Sequence, residues 1–139
     1  MSKLLNYNCL SDKQYQFKDY TINAVQPKDI ENIRIWRNKQ IDILRQKDLI
    51  TKTQQLDYYN NNIWNQLDFK FPDNILLSYN LDSKHIGYGG LVHNRWDDKC
   101  CEMSFILDPI LLEDKIRYQL LFSDFITFIK KIAFEELKF

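Results

Sequence analysis

A chain of 139 residues is long enough for one hydrophobic core and leaves little room for a second domain. Hydrophobic residues make up 45% of it, with 9 Phe, 8 Tyr and 3 Trp, which excludes a disordered chain and predicts a packed fold. Lys and Arg number 19 and so do Asp and Glu, so the summed field offers no attraction for a nucleic-acid backbone.

Residues 1–18 are polar and aperiodic and read as a loose arm or a short edge element, set before a domain over residues 19–139. The first ten residues hold one lysine and no apolar run of signal-peptide length, and nowhere do about eighteen apolar residues run together, which predicts a soluble cytoplasmic protein. Residues 20–25 alternate and are rich in strand formers, so a first strand is expected there. Pro27 suits the first helical position, and Asp29 and Glu31 suit a first turn where the helix dipole favours carboxylates. Ile30, Ile33 and Trp36 follow at helical spacing with Trp36 as core, so the helix runs to about Asn38.

Residues 39–50 are mixed and read as either partly helical or a loop. Thr51 and Gln54 have the spacing of a capping box, which starts a second helix reaching to about Leu67 and burying Leu56, Tyr59, Ile63 and Leu67. Apolar runs over 75–79 and 86–92 surround turn residues at 80–84, the pattern of a hairpin. All three glycines, Gly87, Gly89 and Gly90, fall in the second run, so either something approaches that backbone closely or the strand bulges. A turn over 94–99 and a strand over 101–107 complete an antiparallel meander that Asp108 and Pro109 end.

The strongest helical stripe lies in residues 114–138, with Tyr118, Leu121, Phe122, Phe125, Ile129, Ile132 and Leu137 along one side. A helix that leaves a sheet and packs back on it normally leads to a parallel neighbouring strand. The sequence reaches only Phe139, so the expectation is that this strand is absent or supplied by another chain. The class is α/β (α+β).

Cys9, Cys100 and Cys101 form an odd set without CxxC spacing, and no HxxxH is present, which predicts reduced thiols used as small buried hydrophobes and no metal site. His85 and His93 share strand parity, which makes a common pocket one candidate and two structural or solvent-facing histidines the other.

Trp36-Arg37-Asn38 in the first helix, Ile86-Gly87-Tyr88-Gly89-Gly90-Leu91 in one strand and Cys101-Glu102-Met103-Ser104-Phe105-Ile106-Leu107 in the next resemble, in that order, the GNAT (Gcn5-related) N-acetyltransferases. The resemblance covers residues 20–139 and is nearest the branch that acetylates ribosomal-protein N-termini and nucleotide-linked amino sugars. It implies a GNAT-like mixed sheet with an antiparallel meander flanked by helices, lacking the family's C-terminal strands. It also implies transfer of an acetyl group from acetyl-CoA, as co-substrate, to an amine of a sugar nucleotide or a protein N-terminus.

The family lays the pantetheine arm against the backbone of the strand that residues 101–107 match, which implicates Phe105, Ile106 and Leu107. Glu102 falls where family members often place a base, beside the plainer reading of a strand-end carboxylate. Residues 109–118 stand at the family's glycine-rich phosphate loop but contain no glycine, which leaves Lys115 and Arg117 as phosphate partners. Arg37 and Asn38 fall near the start of the family's acceptor pocket. The implied partner is a small-molecule or peptide amine, with no nucleic acid and no membrane, and an open sheet edge adds a homo-oligomer or a complementing chain. A reading from another class is a catalytically silent GNAT-like module that acts through protein association.

Overall fold

A computed structural model describes residues 4–41, 44 and 47–139. Five strands, β1 (Gln14–Phe17), β2 (Tyr20–Ala24), β3 (Ile75–Leu81), β4 (Lys84–Arg95) and β5 (Cys100–Leu107), form one sheet in chain order, and every neighbouring pair is antiparallel. Two helices, α1 (Ile30–Lys39) and α2 (Lys52–Tyr58), connect β2 to β3, and α3 (Lys115–Lys131) follows β5.

Side chains alternate across a strand, so each strand feeds both faces of the sheet. Ile75, Leu77 and Tyr79 of β3 join Phe125, Phe128 and Ile129 of α3 on one face. Leu76 of the same strand, Tyr88 and Ile106 join Ile33 and Trp36 of α1 on the other. The result is a helix–sheet–helix sandwich with the meander flanked as expected, in which β5 is an edge among the described residues.

The expectation for residues 1–18 falls in part on residues 1–3, which lie outside the described residues. From residue 4 onward the segment is held rather than loose. Tyr7 is buried and its hydroxyl accepts from the Leu76 amide at 2.9 Å, while β1 pairs with β2 at the far edge. The expectation for residues 39–50 likewise falls in part outside the described residues, at 42, 43, 45 and 46.

The capping box is formed, with Gln54 N donating to Thr51 Oγ1 at 3.1 Å and Thr51 N to Gln54 Oε1 at 3.0 Å. The helix it starts is shorter than expected and continues as a π-turn over Tyr59–Ile63 and a 3-10 turn over Trp64–Gln66. The inward positions run Gln55, Tyr59, Ile63 at steps of four, which leaves Leu56 exposed, contrary to expectation. Polar Gln55 occupies the inward slot because its amide donates to Ile30 O at 2.9 Å.

In α3, Asp114 caps the start by accepting from Arg117 N at 3.1 Å. Leu121, Phe125, Ile129 and Ile132 are buried as expected, and so is Phe128, whereas Phe122 is exposed and meets Phe105 edge-on at 5.0 Å. Asp124, also buried, accepts from Lys18 Nζ at 2.6 Å and Tyr20 Oη at 2.7 Å, fastening the β1–β2 turn to α3.

The glycines mark close approach on both sides of β4. A Cβ on Gly89 would lie 2.1 Å from the Ser104 carbonyl oxygen of β5, and one on Gly90 would lie 1.9 Å from the Ile75 carbonyl oxygen of β3. Asp82 and Ser83, with φ of 50° and 66°, make the tight β3–β4 turn. All three cysteines are free thiols, and Cys100 is exposed beside the β4–β5 turn, which corrects the buried reading for that residue.

Candidate functional site

Gly90 of β4 faces Ser104 of β5 on the α1/α2 side of the sheet, and two small residues there leave space that larger ones would fill. A cavity of about 620 Å³ opens at this place, floored by Leu76, Tyr88 and Val92 and walled by Ile33, Arg37 and Tyr59. Arg37 Nη1 donates to Tyr88 Oη at 2.9 Å. Burial pushes the Tyr88 phenol up, against the opposing pull of Arg37, so it remains a neutral hydroxyl.

Successive helical residues point about 100° apart, so Arg37 and Asn38 part company. Arg37 faces the cavity. Asn38 faces the segment before α2, taking the Ile50 amide at 2.8 Å and donating to the Ile50 carbonyl at 3.0 Å. It thereby holds Ile50, itself a cavity-lining residue.

The pairing of β5 decides which of its backbone groups are spent. Asp108 N donates to Ile86 O at 2.8 Å, and Gly87 lies opposite Leu107, which makes that pair a non-hydrogen-bonded one. By alternation Ile106 exchanges its bonds with Tyr88, while Phe105 and Leu107 turn their amides and carbonyls outward along the edge. The Leu107 carbonyl accepts from Gln40 Nε2 at 3.3 Å. Of the three residues implicated on β5, the geometry therefore groups Phe105 with Leu107 and separates Ile106, whose polar backbone is used inside the sheet.

Glu102 is exposed and lies 4.0 Å from His93 Nε2. It lines an adjoining hollow of about 500 Å³ that shares Asn74 and His93 with the larger cavity. His85 lies elsewhere, with its ring 4.7 Å from Trp36 and its Nδ1 3.2 Å from Asn32 Nδ2 and 3.8 Å from Asp29 Oδ1. Burial pulls the His85 pKa down, against the attraction of Asp29. The two histidines do not share a pocket: both lie toward the α1/α2 side, but at opposite ends of the long strand β4, His85 beside Trp36 and His93 beside Asn74.

Lys115 and Arg117 stand exposed in the first turn of α3, after a 3-10 turn over Pro109–Glu113. The Arg117 amide is already engaged by Asp114, so any anion there would rest on the two basic side chains. Tyr88, Ser104, Asn74 and Tyr58 complete the cavity and were not singled out from the sequence. The one signal for Tyr88 was its place among the glycines, with parity opposite to that of Gly87 and Gly89. Among the described residues no group of three His, Cys, Asp or Glu side chains is placed to hold a metal ion.

Solved structures match at the level of the fold. A protein provisionally named an acetyltransferase superposes with a TM-score of 0.54 at 11% identity, over 91% of this chain and 61% of its own. The chain has a GNAT-like acetyltransferase fold. An N-acetyltransferase from Staphylococcus aureus Mu50 matches this GNAT-like chain with a TM-score of 0.52 at 16% identity, over 76% of this chain and 64% of its own. The chain thus spans less than two thirds of the length of either acetyltransferase. No protein-family profile matches the sequence, and no curated protein does.

Proposed function

We propose that the chain is a cytoplasmic, acetyl-CoA-dependent N-acetyltransferase that takes its donor along the outer edge of β5 and its amine in the cavity beside Ser104. The observation that carries this reading is the open β5 edge, where Phe105 and Leu107 present outward backbone groups just after Ser104, the β5 residue that lines the cavity. Pantetheine carries amides that pair with an outward-facing strand as an added strand would. The edge fits that part of the donor through the Phe105 amide and carbonyl and the Leu107 amide. Lys115 and Arg117 would meet its phosphates as side-chain cations.

Acetyl-CoA supplies an activated thioester carbonyl. Attack by the amine forms a carbon–nitrogen bond and breaks the carbon–sulfur bond, and the amine must give up a proton. The Glu102 carboxylate, on the same strand as the edge and behind the wall shared by His93 and Asn74, accepts that proton directly or through one water. Tyr88 and Arg37 hold the acceptor, and Asn38 keeps the Ile50 wall in place. The acceptor is an amine of an amino sugar nucleotide or of a protein terminus.

Calorimetric titration with acetyl-CoA and with coenzyme A tests the reading. Because the phosphate end offers two exposed side chains and a helix start already capped, a dissociation constant weaker than about 1 μM, or roughly 8 kcal/mol of binding, is expected. Arg117→Ala should weaken coenzyme A more than a phosphate-free pantetheine. Glu102→Gln should lower the rate at saturating substrate and leave donor affinity unchanged. No binding heat together with no transfer to any amine refutes the enzyme reading. A second reading, a silent module that works by association, draws on the exposed Ile110, Leu112, Ile116 and Leu120 after β5. It predicts self-association without donor binding.

A further inference from the structure

The cavity between α1, α2 and the sheet holds a positive charge that no carboxylate among the described residues balances. Arg37 is half-buried in its wall, and its hydrogen-bond partner is the Tyr88 hydroxyl. That partner is neutral. Among the described residues no aspartate or glutamate lines the cavity, and none forms an ion pair with Arg37. The acidic residues of α1 and its cap are already used. Glu31 pairs with Arg34, and Asp29 accepts from the Gln26 amide at 2.9 Å and Ser78 Oγ at 2.7 Å.

A guanidinium presents several donors in a planar fork, and one bond to a phenol uses one of them. A cation that has given up part of its water without gaining a counter-charge is costly. A ligand that brings the counter-charge removes that cost and gains charge-assisted hydrogen bonds. Tyr88 adds to this, since its oxygen accepts from Arg37 and its hydrogen remains to be donated.

Resting on the acetyltransferase reading above, we propose that the acceptor is a small amine that also carries an anionic oxygen group, a carboxylate or a phosphate, and that Arg37 with Tyr88 seats this group. The cavity volume of about 620 Å³ is that of a small-molecule site. Tyr88 lies opposite Ile106, so Ser104 is its diagonal neighbour on the same face, about 7–8 Å away. An amine a few bonds from its anion spans that interval. The anion sits at α1 and the amine sits at Ser104, against the β5 edge. The same charges disfavour polyamines, whose second cation would meet Arg37 with no carboxylate among the described lining residues to receive it.

The test is calorimetric titration of the unmodified chain with matched ligands: β-alanine against β-alaninamide, and phosphoethanolamine against ethanolamine, with spermidine as the polycation. The anion-bearing member of at least one pair should bind about tenfold tighter or more, and which pair shows it separates carboxylate from phosphate. Arg37→Gln, with its fold checked by circular dichroism, should abolish the preference. If that variant does not fold, the ligand pairs on the unmodified chain decide alone. Equal binding within both pairs, spermidine binding tightest, no binding by any of them, or a preference that survives in folded Arg37→Gln overturns the proposal. Anion preference without acetyl transfer would leave the pocket assignment standing and remove the enzyme reading. Transfer to neutral and anionic amines with equal efficiency would do the reverse.

Discussion

Replacing Gly89 by alanine should loosen the hairpin on which both halves of the site are built. The added methyl would lie 2.1 Å from the Ser104 carbonyl oxygen and 2.8 Å from the Phe105 Cα, roughly 1 Å short of ordinary contact at the nearer atom. Both obstacles are backbone, so no side chain can swing away. The flanking pairs Tyr88–Ile106 and Gly90–Ser104 exchange their hydrogen bonds across this point. Opening the strands by that distance stretches those bonds past useful length, at about 1 kcal/mol each, and partial relaxation brings the expected loss to about 3 kcal/mol. For a chain of 139 residues this lowers the melting temperature by about 10 °C. Gly87→Ala meets the flexible Leu107 Cδ2 at 2.8 Å and the Ile106 carbonyl oxygen at 2.9 Å and should cost less, about 1 kcal/mol. Urea unfolding followed by far-ultraviolet circular dichroism measures both. A Gly89→Ala chain within about 0.5 kcal/mol of the parent would refute this account of the close approach.

Asn38→Ala removes both hydrogen bonds to the Ile50 backbone and should cost about 1–3 kcal/mol, with amide exchange at Ile50 accelerating first. Unchanged exchange would show that Asn38 does not hold the cavity wall. Burial pushes the Asp124 carboxyl up, but Lys18 and Tyr20 outweigh it and hold its pKa below the usual range. A carboxylate depressed in the folded state stabilises above its unfolded pKa of about 4 and loses that contribution as pH falls through the folded value. The stability gap between the parent and Asp124→Asn should therefore be largest near neutrality and shrink in acid, and a gap independent of pH would contradict the assignment. The exposed Ile116 and Leu120, near the open β5 edge, should drive dimers or larger species at tens of micromolar, as an order of magnitude, and Ile116→Glu should reduce them. Light scattering that reports a monomer for the parent would remove that expectation.

The elements that rest on neighbours in sequence were legible before any coordinates. The capping box of Thr51 and Gln54, the alternation through β2 and the stripe of α3 express backbone geometry over a few residues, and each formed. The three glycines announced either a close approach or a bulge, and the close approach is present because only the absence of a Cβ permits strands that near. Tertiary packing decided the rest. Leu56 turned outward because Gln55 found the Ile30 carbonyl, an atom supplied by another helix. The histidines share a side of the sheet but not a pocket, because the elements docked there place Trp36 beside one and Asn74 beside the other, at opposite ends of β4. Ile106 separated from Phe105 and Leu107 because the hydrogen-bonding phase of a strand is set by its partner. Arg37 was implicated only by the family resemblance, and its partner Tyr88 lies 51 positions away. Periodicity reports which face a residue serves within its own element; which residue waits on the facing element depends on how the elements dock, and that contact turned a candidate arginine into the charged wall of a cavity.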